Sequence, residues 1–550
     1  MTTTFTETLR RGWEALSRIE EKLHKHLLLT RSAMNALVPI CRLSEQVLSE
    51  CFIFSNSPIV VSQVCRHWRA VALRRQLLWT IINEATLRSR QVCLFSQRSG
   101  NLPLRLRIQD DHWGRNAHGE SYFAPIWPLA DRFAEVDIRL DLDSMLSFIP
   151  LFFGRRGWAA LESLALRLPP ETKFLLAGDV IFSGDRPQAL KHLSISWIIP
   201  RKLDFALLRS LLTFEIHCGM AQGGVMTSLE ELLDTIEGCP VLETLHITRK
   251  GGQARSHYCP DKSRRPISLP HLRNMALTVD KEPEIAFLLA HLTIPHIKKM
   301  HLRAFVGRPG LSESSSPLVL LPSDTSNLGF LDEIRTVVVD GSSYQAVLGS
   351  PLRPEDWTEA KGPTTTLTAD MRTYGHDPDG QPDPDVQARI IRHSLFRLGL
   401  VFERRNLVLL SIRALPGELC HVTACDWIVI LSQLPLLEEL QYNAYPLSSA
   451  NVQEKASAHG TKGPVDISTL LLALAEANAY ALCRASTVPR SGHVVPRLQM
   501  LCLAGLEESS ASRLLDAVEN CMAFRHKLGL TFKLMTVEHK VPLGESELDW

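Results

Sequence analysis

Leu242-Glu-Thr-Leu-His-Ile247 follows a rule that the chain repeats: an apolar residue, two free positions, an apolar residue, one free position, an apolar residue. Leu161-Glu-Ser-Leu-Ala-Leu166 and Leu190-Lys-His-Leu-Ser-Ile195 obey it, as do segments beginning at Phe133, Leu211, Leu272, Ile297, Ile334, Leu407, Leu437 and Leu498. The end of each segment alternates as a strand with one buried face does. Before five of these segments a proline (Pro240, Pro270, Pro295, Pro435 or Pro496) stands two residues ahead of the first apolar position. With 32 Pro in 550 residues, chance would place fewer than one at those sites. Proline there ends a preceding helix and sets the entry into an extended segment.

Helical stretches lie between the segments, for example at residues 228–237, 284–290, 427–433 and 468–475. One strand–turn–helix unit cannot bury its apolar face alone, whereas stacked units can. The arrangement resembles a leucine-rich repeat. The expected fold is therefore α/β, an irregular leucine-rich-repeat solenoid with parallel strands inside and helices outside. Irregularity is expected because no regular Asn or Cys follows the signature to form a side-chain ladder. The repeat domain is placed at 131–535. Two polar stretches interrupt it, 340–395 and 443–467, and both read as long surface loops. Residues 86–130 read as a linker with a first strand region, and 536–550 as a tail.

Upstream, residues 1–36 form one amphipathic helix in which Phe5, Leu9, Trp13, Leu16, Ile19, Leu23 and Leu27 recur every three to four residues. Packing on the helices that follow is the expected fate of that face, with a coiled-coil dimer as the alternative. Residues 37–85 then hold a compact helical module. Leu43, Val47, Leu48 and Cys51 fall at helical spacing with Phe52 beside them, behind Ser44 as a cap. Pro58 separates a second helical segment with Val61, Val64, Cys65, Trp68 and Ala72, followed by Leu77, Leu78 and Trp79. From pattern alone this module is a helical cap on the repeat domain.

The same residues resemble a fungal-type F-box. Leu43, Leu48, Glu50 and Phe52 match the family's opening Leu-Pro-Pro-Glu-Leu-Leu-x-Glu-Ile-Phe. Val64, Cys65, Arg66, Trp68 and Arg69 match its Val-Cys-Arg-x-Trp-Arg, and Leu78 and Trp79 match its Leu-Trp pair. Ser44 and Glu45 stand where the family has two prolines. The stretch from Arg98 to Ile108 is similar to the Arg-Ser-Gly-x-Leu-Pro-Leu approach to that family's first strand. The resemblance implies a substrate-recognition subunit of a cullin-type ubiquitin ligase. A Skp-type adaptor and cullin scaffold would be its partners, held through Leu43, Val47, Leu48, Phe52, Val64, Trp68, Leu78 and Trp79. A protein target would be held by the repeat domain. The alternative is a repeat scaffold without ligase function.

Residues between the buried positions of each strand face away from the helices, and a target would bind there. They include His192, His246, Lys299, His301, Arg303, Glu439 and Gln441. Lys299 and Arg303 would suit an acidic or phosphorylated segment.

Composition bounds the rest. Sixty Lys plus Arg balance 59 Asp plus Glu, so no global field selects nucleic acid or an anionic membrane. No apolar run is long enough for a bilayer span. Twelve scattered Cys without a Cys-x-x-Cys pair suit a reducing cytosolic or nuclear setting. No phosphate loop, His-Glu-x-x-His or Gly-x-Ser-x-Gly motif occurs. Asp377, Asp379, Asp383 and Asp385 lack the order of a calcium loop. The expectation is a non-enzyme with no cofactor and no metal.

Overall fold

A computed structural model describes residues 2–55, 57–109, 120–154, 158–169, 176–180, 189–196, 198–203, 208–218, 228–249, 266–306, 316–340, 346–350, 366–373, 384–402, 407–414, 419, 422–444, 468–475, 497–504, 508–527, 529–530 and 533–537. The polypeptide is mixed α/β and divides into two compact units. One comprises Met1–Thr172 with Val180–His192, the other Lys173–Asp179 with Leu193–Trp550.

The first unit begins with helix α1 (Thr2–Leu37). Helices α2 (Glu45–Ser55), α3 (Pro58–Val64) and α4 (Arg66–Arg74) form the module, closed by a short 3-10 turn at Gln76–Trp79. Each start has a local cause. The Ser44 hydroxyl accepts from the Val47 amide at 3.3 Å, as expected of a cap. Pro58 occupies the first turn of α3, where its missing N–H costs nothing. The Cys65 sulfur accepts from the Trp68 amide at 3.4 Å. Strands β1 (Ile81–Asn83), β2 (Leu104–Gln109), β3 (Phe133–Arg139) and β4 (Ser163–Arg167) then pair in that order, all parallel. Between them lie α5 (Ser89–Arg98) and α6 (Leu142–Gly154). Phe148 and Phe152 of α6 pack with Trp158 and Trp127 into an aromatic core.

The second unit carries β5 (His192–Ser196, from Leu193 onward), β6 (Thr213–Cys218), β7 (Thr244–Arg249), β8 (Asn274–Val279) and β9 (Lys299–Val306). It continues with β10 (Thr336–Asp340), β11 (Ala346–Ser350), β12 (Thr366–Thr373), β13 (Leu409–Ala414), β14 (Glu439–Ala444), β15 (Met500–Ala504) and β16 (Lys533–Val537). Sheet order follows chain order except in the middle, where it runs β9-β12-β11-β10-β13. There β11 is antiparallel to both neighbours. Helices α7 (Leu229–Glu237), α8 (Glu282–Ala290), α9 (Pro384–Phe402), α10 (Ala424–Ser432), α11 (Ser468–Ala475) and α12 (Glu508–Lys527) connect strands. Reciprocal capping boxes, Ser228 with Glu231 and Thr423 with Asp426, start α7 and α10.

The repeated signature is the core. In every segment all three apolar positions are buried, from Phe133, Val136 and Ile138 to Leu498, Leu501 and Leu503. Two main-chain devices recur with it. The amide of the first apolar residue closes a turn onto the carbonyl three residues earlier, as Leu161 onto Trp158, Leu242 onto Cys239 and Leu437 onto Leu434. The next two amides then converge on one carbonyl of the preceding unit. Glu243 and Thr244 both donate to Leu212 (2.8 and 2.9 Å), Arg273 and Asn274 to Glu243 (2.8 and 3.0 Å), and Glu438 and Glu439 to Val408 (2.8 and 3.0 Å). A carbonyl has two lone pairs, so both bonds are satisfied without a side-chain ladder.

Two expectations are corrected. Residues 340–395, read as a surface loop, contribute β11, β12 and the start of α9. Alternation in Thr366-Leu-Thr-Ala-Asp buries Leu367 and Ala369 on the core face. Gly349 lets β11 pass over Ile334, since a β-carbon there would lie 3.0 Å from Ile334 Cδ1. The apolar face of α1 does not pack on the helices that follow: Leu9, Trp13, Leu16, Ile19, Leu23 and Leu27 are all exposed. Residues 445–467, the acidic stretch 377–383 and residues 538–550 lie outside the described residues.

Candidate interaction surfaces

The predicted adaptor residues divide into two sets. Leu48, Phe52, Leu78 and Trp79 form the module's interior, all below a tenth exposed. Trp79 donates from Nε1 to the Ala72 carbonyl at 2.9 Å and meets Phe95 edge-on at 5.2 Å. The Arg98 guanidinium caps its ring at 4.2 Å. Half-buried Trp68 leans on Phe52 at 4.9 Å. Leu48, Phe52, Leu78 and Trp79 therefore serve the module's own core. Leu43, Val47 and Val64 are exposed. The reading missed the residues that extend this set: Phe54 at 85 %, Val60 at 61 % and Leu77 at 48 % exposure. Val47 and Phe54 lie seven apart on α2, and Val60 and Val64 four apart on α3, so each pair shares a helical face. The spacing was visible in the sequence, but the side on which the core lies was not. Leu77 also lines a recess with Phe52, Ile53, Pro58 and Leu78. The basic run at the end of α4 is matched by carboxylates: Arg74 binds Glu45 at 2.9 Å and Arg75 binds Glu50 at 3.0 Å.

In the first unit the solvent face of the sheet carries a charge ladder that was also missed. Glu135 receives Arg107 at 2.9 Å and Arg105 at 3.4 Å, and Asp137 faces Arg167 at 3.6 Å. Burial pushes the Asp137 carboxyl above its ordinary range. The alternation in Leu104-Arg-Leu-Arg-Ile108 was the signal.

In the second unit the predicted face is polar but largely self-paired. Lys299 is exposed; His192, the last residue of the first unit, is exposed as well. His246 Nδ1 lies 3.4 Å from Glu215 on the neighbouring strand. That hydrogen bond holds the Glu215 carboxyl down at about 2. Arg303 does not wait for an acidic ligand. Its guanidinium is engaged by Asp370 of β12 at 2.8–2.9 Å, and His301 Nε2 lies 3.8 Å from the same carboxylate. Asp370 arises from the stretch read as a loop, so its register opposite Arg303 could not be foreseen. Glu439 is buried and accepts from Gln441 Nε2 at 2.7 Å.

No family model matches the chain, and no curated protein matches it. Among solved structures it is similar to the crystal structure of a TLR13–ssRNA13 complex, at 12% sequence identity and a TM-score of 0.27. That alignment covers 77% of this chain and 58% of the other, so this chain spans less than two thirds of its length. Among the described residues no helix is long and apolar enough to cross a membrane.

Proposed function

We propose that the chain is a non-catalytic receptor subunit of a cullin-type ubiquitin ligase. In this reading the module at 43–79 docks a Skp-type adaptor, and the sheet holds a protein target close to the transfer centre. Rate comes from local concentration of a target lysine, and no residue of this chain performs chemistry. One observation carries the reading. The module completes its own core with Leu48, Phe52, Leu78 and Trp79 and still exposes Leu43, Val47, Phe54, Val60, Val64 and Leu77. Exposed apolar side chains concentrated on one small module are what an interaction site requires.

The second reading is a repeat scaffold that uses the module only as a cap. The packing of Trp79 on Phe95, next to β1, favours it. Co-purification with a Skp-type adaptor separates the two. Wild type should bind stoichiometrically, and Val47→Asp with Val64→Asp should lose the adaptor while keeping its circular dichroism. A folded wild-type chain that retains no adaptor leaves the scaffold reading.

A further inference from the structure

The bare face of α1 has a definite register. Counting from Leu9 in alternating steps of four and three gives Trp13, Leu16, Glu20, Leu23, Leu27, Thr30, Met34 and Leu37. This is the a/d pattern of a coiled coil, with leucine at three successive d positions. Its large apolar members are 47 to 73 % exposed in the single chain. The helix is 36 residues long, about 54 Å, so the seam is far longer than an incidental surface hydrophobe.

Only Glu20 and Thr30 break the seam, and they say how it closes. In a parallel, in-register pair each Glu20 would face its own copy, placing two carboxylates together in an apolar layer. In an antiparallel pair centred near Lys25 the a positions of one helix meet the d positions of the other. Trp13 then meets Leu37, Leu16 meets Met34, Leu23 meets Leu27, and Glu20 meets Thr30. The same alignment brings Arg31, which follows Thr30, beside the second copy's Glu20. Among the described residues neither Glu20 nor Arg31 has an ion pair within its own chain, whereas Glu7 and Glu14 are already held by Arg10. Ile19 and Ala33, on the flank, also come together. About 25 residues of each helix overlap, three and a half heptads, which is enough for a stable pair.

We infer that α1 joins two copies of this chain as an antiparallel coiled coil, with Glu20 and Arg31 matched across the seam.

Light scattering after gel filtration of the full chain should give twice the chain mass. Leu16→Glu with Leu23→Glu should halve it with circular dichroism otherwise unchanged, because both side chains are exposed in the monomer. Direction is read by oxidative cross-linking against the wild-type background. Leu16→Cys combined with Met34→Cys should give a new covalent dimer, and Leu9→Cys alone should give none. A wild-type monomer at micromolar concentration overturns the inference, including one in which the stripe binds lipid vesicles or the adaptor instead. So does a dimer that survives the two glutamates, or cross-linking through Leu9→Cys, which would mean a parallel pair. Loss of adaptor binding without loss of dimer mass bears on the proposed function alone.

Discussion

Asp370 and Arg303 lie directly across from each other on neighbouring parallel strands, and the Arg303 Nε lies 2.9 Å from both carboxylate oxygens. The carboxylate is almost fully buried, while the guanidinium keeps about a quarter of its surface. Removing one partner strands the other in a site that water only partly reaches. Asp370→Ala should therefore cost about 2 kcal/mol, less than the loss of one partner from a fully buried pair. Arg303→Ala in the Asp370→Ala background should cost much less than alone. A double-mutant cycle by urea unfolding that gives additive losses would remove the pair from the account of this sheet.

Glu215 makes acid stability a local matter. Its folded carboxyl is held near 2 against an ordinary value of 4.5, first of all by the hydrogen bond from His246. The folded value is the lower one, so the stabilisation is present above the unfolded value and fades as pH falls from about 4.5 toward 2. Glu215→Gln should be less stable than wild type at pH 6, with the gap closing toward pH 2. Urea midpoints across that range measure it. A gap that stays constant with pH would mean that the charge contributes nothing.

On the helix side of the sheet, Arg249 and Glu284 form a buried but loose pair at 3.7 Å, and burial pushes the Glu284 carboxyl upward. The Arg249 Nη1 has no hydrogen-bond partner among the described residues. Desolvation of both groups is poorly repaid at that distance. Arg249→Met with Glu284→Leu should be neutral or stabilising by about 1–3 kcal/mol, and Arg249→Met alone clearly destabilising. Thermal unfolding of the three variants decides; a double variant well below wild type would show that the pair is net favourable.

Within the helical module, burial separates neighbours in sequence. Leu48→Ala should cost about 2–5 kcal/mol by leaving a cavity. Val47→Asp, one residue away and half exposed, should change stability by less than about 0.5 kcal/mol. Equal losses at the two sites would contradict the division between core and docking face.

Periodicity made much of the architecture legible. The positions Leu242, Leu245 and Ile247, and their counterparts in every other unit, are all inside. The strands β11 and β12 are set among polar stretches, so their pairing depends on Leu367 and Ala369 meeting a sheet that local sequence does not announce. For the module, helical spacing identifies the apolar residues, but Leu48 and Val47 are told apart only by burial in the folded module. On the strand face expected to hold a target, Lys299 is exposed, while Arg303 has its charge answered by a residue 67 positions away.

The paired amides that converge on Leu212, Glu243 and Val408 have a further consequence. Stacking of successive units is written in main-chain atoms, which every residue except proline supplies. Selection then has no reason to hold a particular side chain at that step. Such a repeat needs only three greasy positions in common between its copies, because the hydrogen bonds that organise it are indifferent to the side chains around them.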